Sequence, residues 1–145
     1  MLTSTQKAYL AGFLDGDGSI YVRLKPNSDY RYGFQVAPYI VLFQSQKERV
    51  KFEKICSLID LGYMRERNDG ILEYTIGREE AIHTFLRFVS PYLILKQQQA
   101  ALMLQILERK AKVKNKNDFS ELMKIIDRFR ELNYSKKRKR HTLTP

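Results

Sequence analysis

The most constraining stretch of this chain is a helix that runs into alternating carboxylates and glycines. Ala8, Ala11, Gly12 and Asp15 fall three and four residues apart, so on a helix they share a face. Small side chains there let a second backbone approach at the short end of the helix–helix range. That second backbone is either another helix of the same chain or a copy of this one, and both readings fit the spacing. Thr3 or Ser4 offers a hydroxyl to cap the helix start. At its far end, Asp15-Gly16-Asp17-Gly18-Ser19 predicts a break after Leu14, because glycines favour sharp turns.

Asp15 and Asp17 bring chemistry to that break. Carboxylates are hard oxygen ligands for Mg²⁺ or Ca²⁺, and phosphodiester hydrolysis uses such ions to activate water and stabilise the leaving oxygen. A calcium-binding loop is ruled out further along, where Ile20 replaces the glycine of its sixth position and Pro26 the glutamate of its twelfth. An ordinary Asp-Gly turn remains the competing reading. The chain carries one such acidic turn, whereas a double-strand cut needs ligands on both sides of the DNA axis. Pairing two copies through the small-residue face would set two Asp17 carboxylates side by side at a twofold axis.

Beyond the turn, Ile20, Val22 and Leu24 alternate with Tyr21, Arg23 and Lys25. That is a strand with one apolar face and one basic, hydrogen-bonding face, suited to DNA or to plain solvent. Pro26-Asn27-Ser28-Asp29 reads as a turn and residues 31–43 as a second strand, which Pro38 should place at an edge or interrupt. Residues 47–61 read as a helix with Phe52, Ile55, Cys56 and Ile59 inward, ended by Gly62. Residues 63–67 and 72–76 form a strand pair joined at Asn68-Asp69-Gly70. Helices follow at 79–89, at 96–110 and at 119–132, with Pro91 interrupting the first. The sum is an α+β domain, residues 1–134, with one twisted antiparallel sheet packed on helices. Residues 135–145 are expected to be a basic C-terminal arm.

Composition narrows the partner. With 26 basic against 16 acidic residues, the net charge of +10 calls for a polyanion, although a housekeeping RNA binder would share it. The lone Cys56 excludes an intrachain disulfide, and His83 and His141 lie too far apart to suggest a metal site. Neither a membrane span nor a secretory leader is legible, so an intracellular or organellar compartment is expected.

The run Leu10-Ala11-Gly12-Phe13-Leu14-Asp15-Gly16-Asp17-Gly18 closely resembles the signature of the LAGLIDADG homing endonucleases. The single motif, Ser19-Ile20 and Lys25-Pro26-Asn27 resemble the homodimeric subgroup encoded in group I introns of algal organelles. The likeness continues through Gly62-Tyr63-Met64-Arg65-Glu66-Arg67 and Leu95-Lys96-Gln97-Gln98-Gln99-Ala100. The resemblance implies a sheet curved into a DNA-binding saddle and a motif helix at the dimer interface through Ala8, Ala11 and Gly12. Asp17 would bind metal, with the Gly16 carbonyl nearby. Lys96 and Arg49 would be the basic residues at the scissile phosphate, and Gln46, or else Gln44, the residue that positions water. Mg²⁺ is the implied metal, with Mn²⁺ as a substitute and Ca²⁺ binding without efficient cleavage.

For contacts to double-stranded DNA the resemblance implies Tyr21, Arg23, Lys25, Asn27, Tyr30, Gln44, Arg65, Arg67, Glu73 and Thr75 on the sheet and its loops. Lys137, Arg138, Lys139 and Arg140 would touch the DNA backbone, and the terminal helix of relatives is expected to be missing. Cleavage across the minor groove would leave short 3′ overhangs. Intron RNA, as a maturase substrate, is the alternative partner. A chloroplast is favoured over a mitochondrion, and no membrane is involved.

Overall fold

A computed structural model of the chain describes residues 1–133, so the basic run 137–140 lies outside the described residues. Helix α1 (Ser4–Asp17) begins at a capping box in which the Thr3 hydroxyl accepts from the Gln6 N–H and the Gln6 side chain accepts from the Thr3 N–H. The helix does not break after Leu14. It continues through Gly16, and Asp17 is its last residue. Gly18 ends it by close approach: a Cβ there would sit 2.6 Å from Leu14 Cδ1 and 3.0 Å from Leu14 Cα.

Strand β1 (Gly18–Pro26) turns through the Asn27 loop into β2 (Phe34–Ser45). After one 3₁₀ turn comes α2 (Arg49–Ile59), then the hairpin β3 (Tyr63–Glu66) and β4 (Ile71–Ile76). Helices α3 (Glu79–Val89), α4 (Gln97–Ala111) and α5 (Lys116–Asn133) complete the described chain. The sheet is antiparallel in the order β1-β2-β4-β3. Pro38 does not interrupt β2. It pairs with Val22 of β1 in the half of β2 that lies beyond Ile40, where pairing with β4 starts. With no strand on that side, the missing N–H leaves no ladder bond unmade.

Two further boundaries have causes other than those expected. Asp60, in the left-handed region at φ 50°, closes α2 and donates its N–H to Cys56. Gly62 serves a different need, since a Cβ there would stand 2.1 Å from the Thr75 carbonyl oxygen.

One apolar core sits between the sheet and the helices. Ile20, Val22, Val36, Ile40, Leu42, Leu72 and Ile76 supply the sheet side, and Leu10, Leu14, Phe52, Phe85, Ile106 and Phe129 are among the helical residues that cover it. Strand alternation therefore sends the odd-numbered residues of all four strands to the opposite face. That face carries no helix of the core, and of the expected contact residues Tyr21, Arg23, Lys25, Arg65, Glu73 and Thr75 stand on it. Asn27, Tyr30 and Arg67 lie in the loops, whereas Gln44, opposite Leu72, falls on the core-side parity.

Candidate active site and nucleic-acid interface

The two carboxylates at the end of α1 do different work. Asp15 reaches the segment before α4, where Oδ2 accepts from the N–H groups of Ile94 (2.8 Å) and Leu95 (3.1 Å) and Oδ1 from that of Lys96 (3.0 Å). Lys96 Nζ then donates to the Asp15 carbonyl oxygen at 2.8 Å. Desolvation alone would raise the Asp15 carboxyl, but the three amides and the Lys96 charge outweigh it and hold it below its ordinary value of 3.8. Asp17, two residues on, is exposed and makes no side-chain hydrogen bond or ion pair among the described residues. It stands at the C-terminal end of a helix, where the backbone dipole favours cations. Asp15 thus holds Lys96 beside the helix end, and Asp17 is left free.

A measurable consequence follows from the Asp15 anchor. Asp15→Asn keeps one acceptor but turns an NH₂ group toward backbone amides, and it should destabilise the chain by about 2 kcal/mol. Because the folded carboxyl titrates below its unfolded value, its contribution is complete above the unfolded pKa and fades as pH falls through the folded one. Urea unfolding of both proteins across a pH series should therefore give a constant gap at neutral pH that closes below about pH 4.

The remaining catalytic candidates lie at the same end of the sheet. Gly18 of β1 faces Leu42, so the last residues of β2 overhang the start of β1 next to Asp17. Gln44 is half-buried on β2, its Oε1 accepting from the Ser45 N–H at 2.8 Å. Gln46 is exposed in the next turn, its N–H donating to the Gly70 carbonyl at 2.8 Å. Arg49, at the start of α2, is held by Glu66 at 2.5 Å and Glu53 at 3.7 Å. No hydrogen bond or ion pair among the described residues joins Gln44, Gln46 or Arg49 to Asp17 or Lys96. One position of the small-residue face is corrected: Ala11 is fully buried in the chain's own core. The outward stripe of α1 is Thr5, Ala8, Gly12 and Gly16, and a Cβ on either glycine would meet nothing within 4 Å.

The outer sheet face is continuous across the strands. Tyr21 pairs with Tyr39, Arg23 with Ala37 and Lys25 with Gln35; Val41 meets Thr75 and Phe43 meets Glu73, which pairs in turn with Arg65. The Tyr21 and Tyr39 rings stack at 5.2 Å, and Lys25 Nζ donates to the Tyr39 hydroxyl at 3.2 Å. Arg65 and Arg67 are not free. Glu73 accepts from Arg65 at 2.7 Å and lies 3.8 Å from Arg67, which also pairs with Asp69 at 2.6 Å. The Glu73 side chain is only 16% exposed, while the Arg65 and Arg67 side chains reach out to solvent at 67% and 42%, so the carboxylate is fixed and the guanidinium groups can exchange it for another partner. Asn27 accepts the Asp29 N–H on its Oδ1 at 2.9 Å, which leaves its NH₂ as the available group; Tyr30 stands exposed in the same loop. Sequence reading missed Gln35, Tyr39, Phe43 and Tyr63 on this face. For the three on β2 the signal was the strand's alternation, which Pro38 left open to an edge or a break, and for Tyr63 it was the alternation of β3 with Arg65.

Among the described residues, no group of three His, Cys, Asp or Glu side chains could hold a metal ion, and no helix is long and apolar enough to cross a membrane. The model of the family described as LAGLIDADG endonuclease matches residues 10–106. DNA endonuclease I-CreI of Chlamydomonas reinhardtii is 38% identical over 132 residues, covering 90% of this chain and 80% of that protein. DNA endonuclease I-CvuI of Chlorella vulgaris is 34% identical over 131 residues, covering 90% and 81%. The crystal structure of I-CvuI with the I-CreI target, in the presence of Mg and with DNA not cleaved, superposes with TM-score 0.84 at 32% identity, over 92% of this chain and 85% of that one.

Proposed function

The chain belongs to the LAGLIDADG endonuclease family, and from that premise we propose that it cuts both strands of a long pseudo-palindromic DNA site as a metal-dependent homodimer. The observation that supports this most is the division of labour at the end of α1, with Asp15 drawing Lys96 in and Asp17 left unpaired. One carboxylate and the neighbouring Gly16 carbonyl are hard oxygen donors but an incomplete set for Mg²⁺. The missing ligands are DNA phosphates and the Asp17 of a second copy. When bound, the metal supplies charge stabilisation and an acidified water for phosphodiester hydrolysis. Lys96 stabilises charge that builds on the scissile phosphate, and Gln46 or Gln44 orients water at the same end of the sheet. Arg49 reaches that phosphate only after exchanging Glu66 for it.

The second copy meets the outward stripe of α1. Glycine inside a helix costs about 1 kcal/mol relative to alanine, and nothing in a single chain needs it at positions 12 and 16. Beside the stripe, Tyr9, Ile94 and Leu95 are 56%, 82% and 74% exposed, an apolar rim that dimerisation would cover. The outer sheet face then lies in the major groove of each half-site. There Arg23 reads base edges directly, while Arg65 and Arg67 read guanine in competition with Glu73. Both algal relatives support a chloroplast as the compartment. The deciding experiment incubates the purified chain with a randomised duplex pool and Mg²⁺, then maps both cut strands. Expected is one palindrome-like consensus with staggered 3′ ends; a bound consensus that is never cut would reject the nuclease.

A further inference from the structure

Asn133, the last residue of α5, touches both halves of the active site from behind. Its Nδ2 donates to the Ile20 carbonyl at 2.6 Å, and its Oδ1 accepts from Gln99 Nε2 at 3.3 Å. Ile20 lies three residues past Asp17 on β1, and Gln99 three residues past Lys96 on α4. β1 is an edge strand, so its outward carbonyls have no strand partner, and Asn133 supplies one. The amide can point only one way here, because the carbonyl of Ile20 needs a donor.

We propose that Asn133 is a positioning residue for the cleavage reaction, holding the strand that follows Asp17 at a fixed offset from the helix that Lys96 begins. The inference rests on the nuclease reading above. It differs from the Asp15 anchor in what it fixes. Asp15 ties the end of α1 to Lys96 directly, whereas Asn133 ties the two elements one step further out and thereby sets their relative rotation. Both groups of the amide are in use. Asn133→Asp is nearly isosteric and fills the same space, yet it replaces the donor with an oxygen facing the Ile20 carbonyl.

The test compares Asn133→Asp, Gln99→Ala and the double variant with the unmodified protein. Single-turnover cleavage in Mg²⁺ should fall roughly tenfold for Asn133→Asp, since small misplacements of reacting groups are costly. Target affinity measured in Ca²⁺ should stay within about twofold, because binding rests on many other contacts. The double variant should lose little more than Asn133→Asp alone, the two bonds being one chain. Amide hydrogen exchange of the uncomplexed protein should quicken at the start of β1 and in the first turn of α4, with β3 and β4 unchanged. Unchanged cleavage overturns the proposal, as does a parallel loss of affinity, cleavage and thermal stability, which would mark a merely structural role. If the unmodified chain never cuts, the reading of function falls and the catalytic part of this inference with it. The exchange pattern still decides the tie in that case, and an unaltered pattern rejects it.

Discussion

Asp17→Asn should abolish DNA cleavage, by on the order of 10³-fold or more, while target binding survives. The carboxylate is exposed and free of hydrogen bonds within the described chain, so neutralising it disturbs no internal partner. What it removes is a charged hard ligand, and metal stabilisation of a phosphoryl transition state is worth several kcal/mol, each 1.36 of which is about tenfold in rate. Binding rests instead on many phosphate and base contacts, and removing an anion from each half of the axis can only ease the approach of DNA. Cleavage of the selected site under single-turnover conditions, with affinity measured in parallel in Ca²⁺, separates the two effects. Near-normal cutting in Mg²⁺ would mean that another group holds the metal. Asp15→Asn is the informative companion, because it should weaken the fold at a position that touches no metal.

Gly12→Leu should leave a well-folded chain that no longer dimerises. In one chain a Cβ at this position meets nothing within 4 Å, and leucine is a better helix former than glycine, so the isolated protomer has no reason to suffer. Two leucines meeting at a twofold axis are a different matter. Overpacking costs about 1–3 kcal/mol for each, which weakens dimerisation by roughly 30-fold or more. Sedimentation should find one chain per particle with helical content unchanged, and double-strand cleavage should disappear with the dimer. A variant that stays dimeric would show that the α1 stripe faces something other than its own copy.

The order and type of the helices and strands were legible in the sequence, most of them from a period of two or of 3.6 and α1 from its cap and its run of small residues. The 3₁₀ turns at Gln46–Glu48 and Ser90–Tyr92 were not. What else escaped was settled over long distances. Asp15 reads locally as half of a turn, and only the amides of Ile94, Leu95 and Lys96 reveal it as an anchor. Spacing placed Ala11 with Ala8 and Gly12, but a helical stripe has two edges, and which edge meets the core is decided by the sheet beneath it. Arg65 and Arg67 were visible as base readers; their capture by Glu73 depends on the register of β3 against β4, which no local pattern encodes. The outer sheet face was half seen: Pro38 left an edge or a break equally open, and the structure decides for the edge, since β4 pairs with β2 only from Ile40 onward.

That same proline has a bearing on how the protein keeps to itself. The half of β2 beyond β4 is an open strand edge, the kind of template onto which a foreign strand adds. A donor-less residue in its middle denies an incoming chain the regular ladder such addition needs. That stretch of the rim can therefore stay uncovered beside the face proposed to receive DNA without offering a foreign strand a full ladder. Along that stretch the rim is guarded by its backbone chemistry, which leaves the side chains of the adjoining face free for the recognition proposed above.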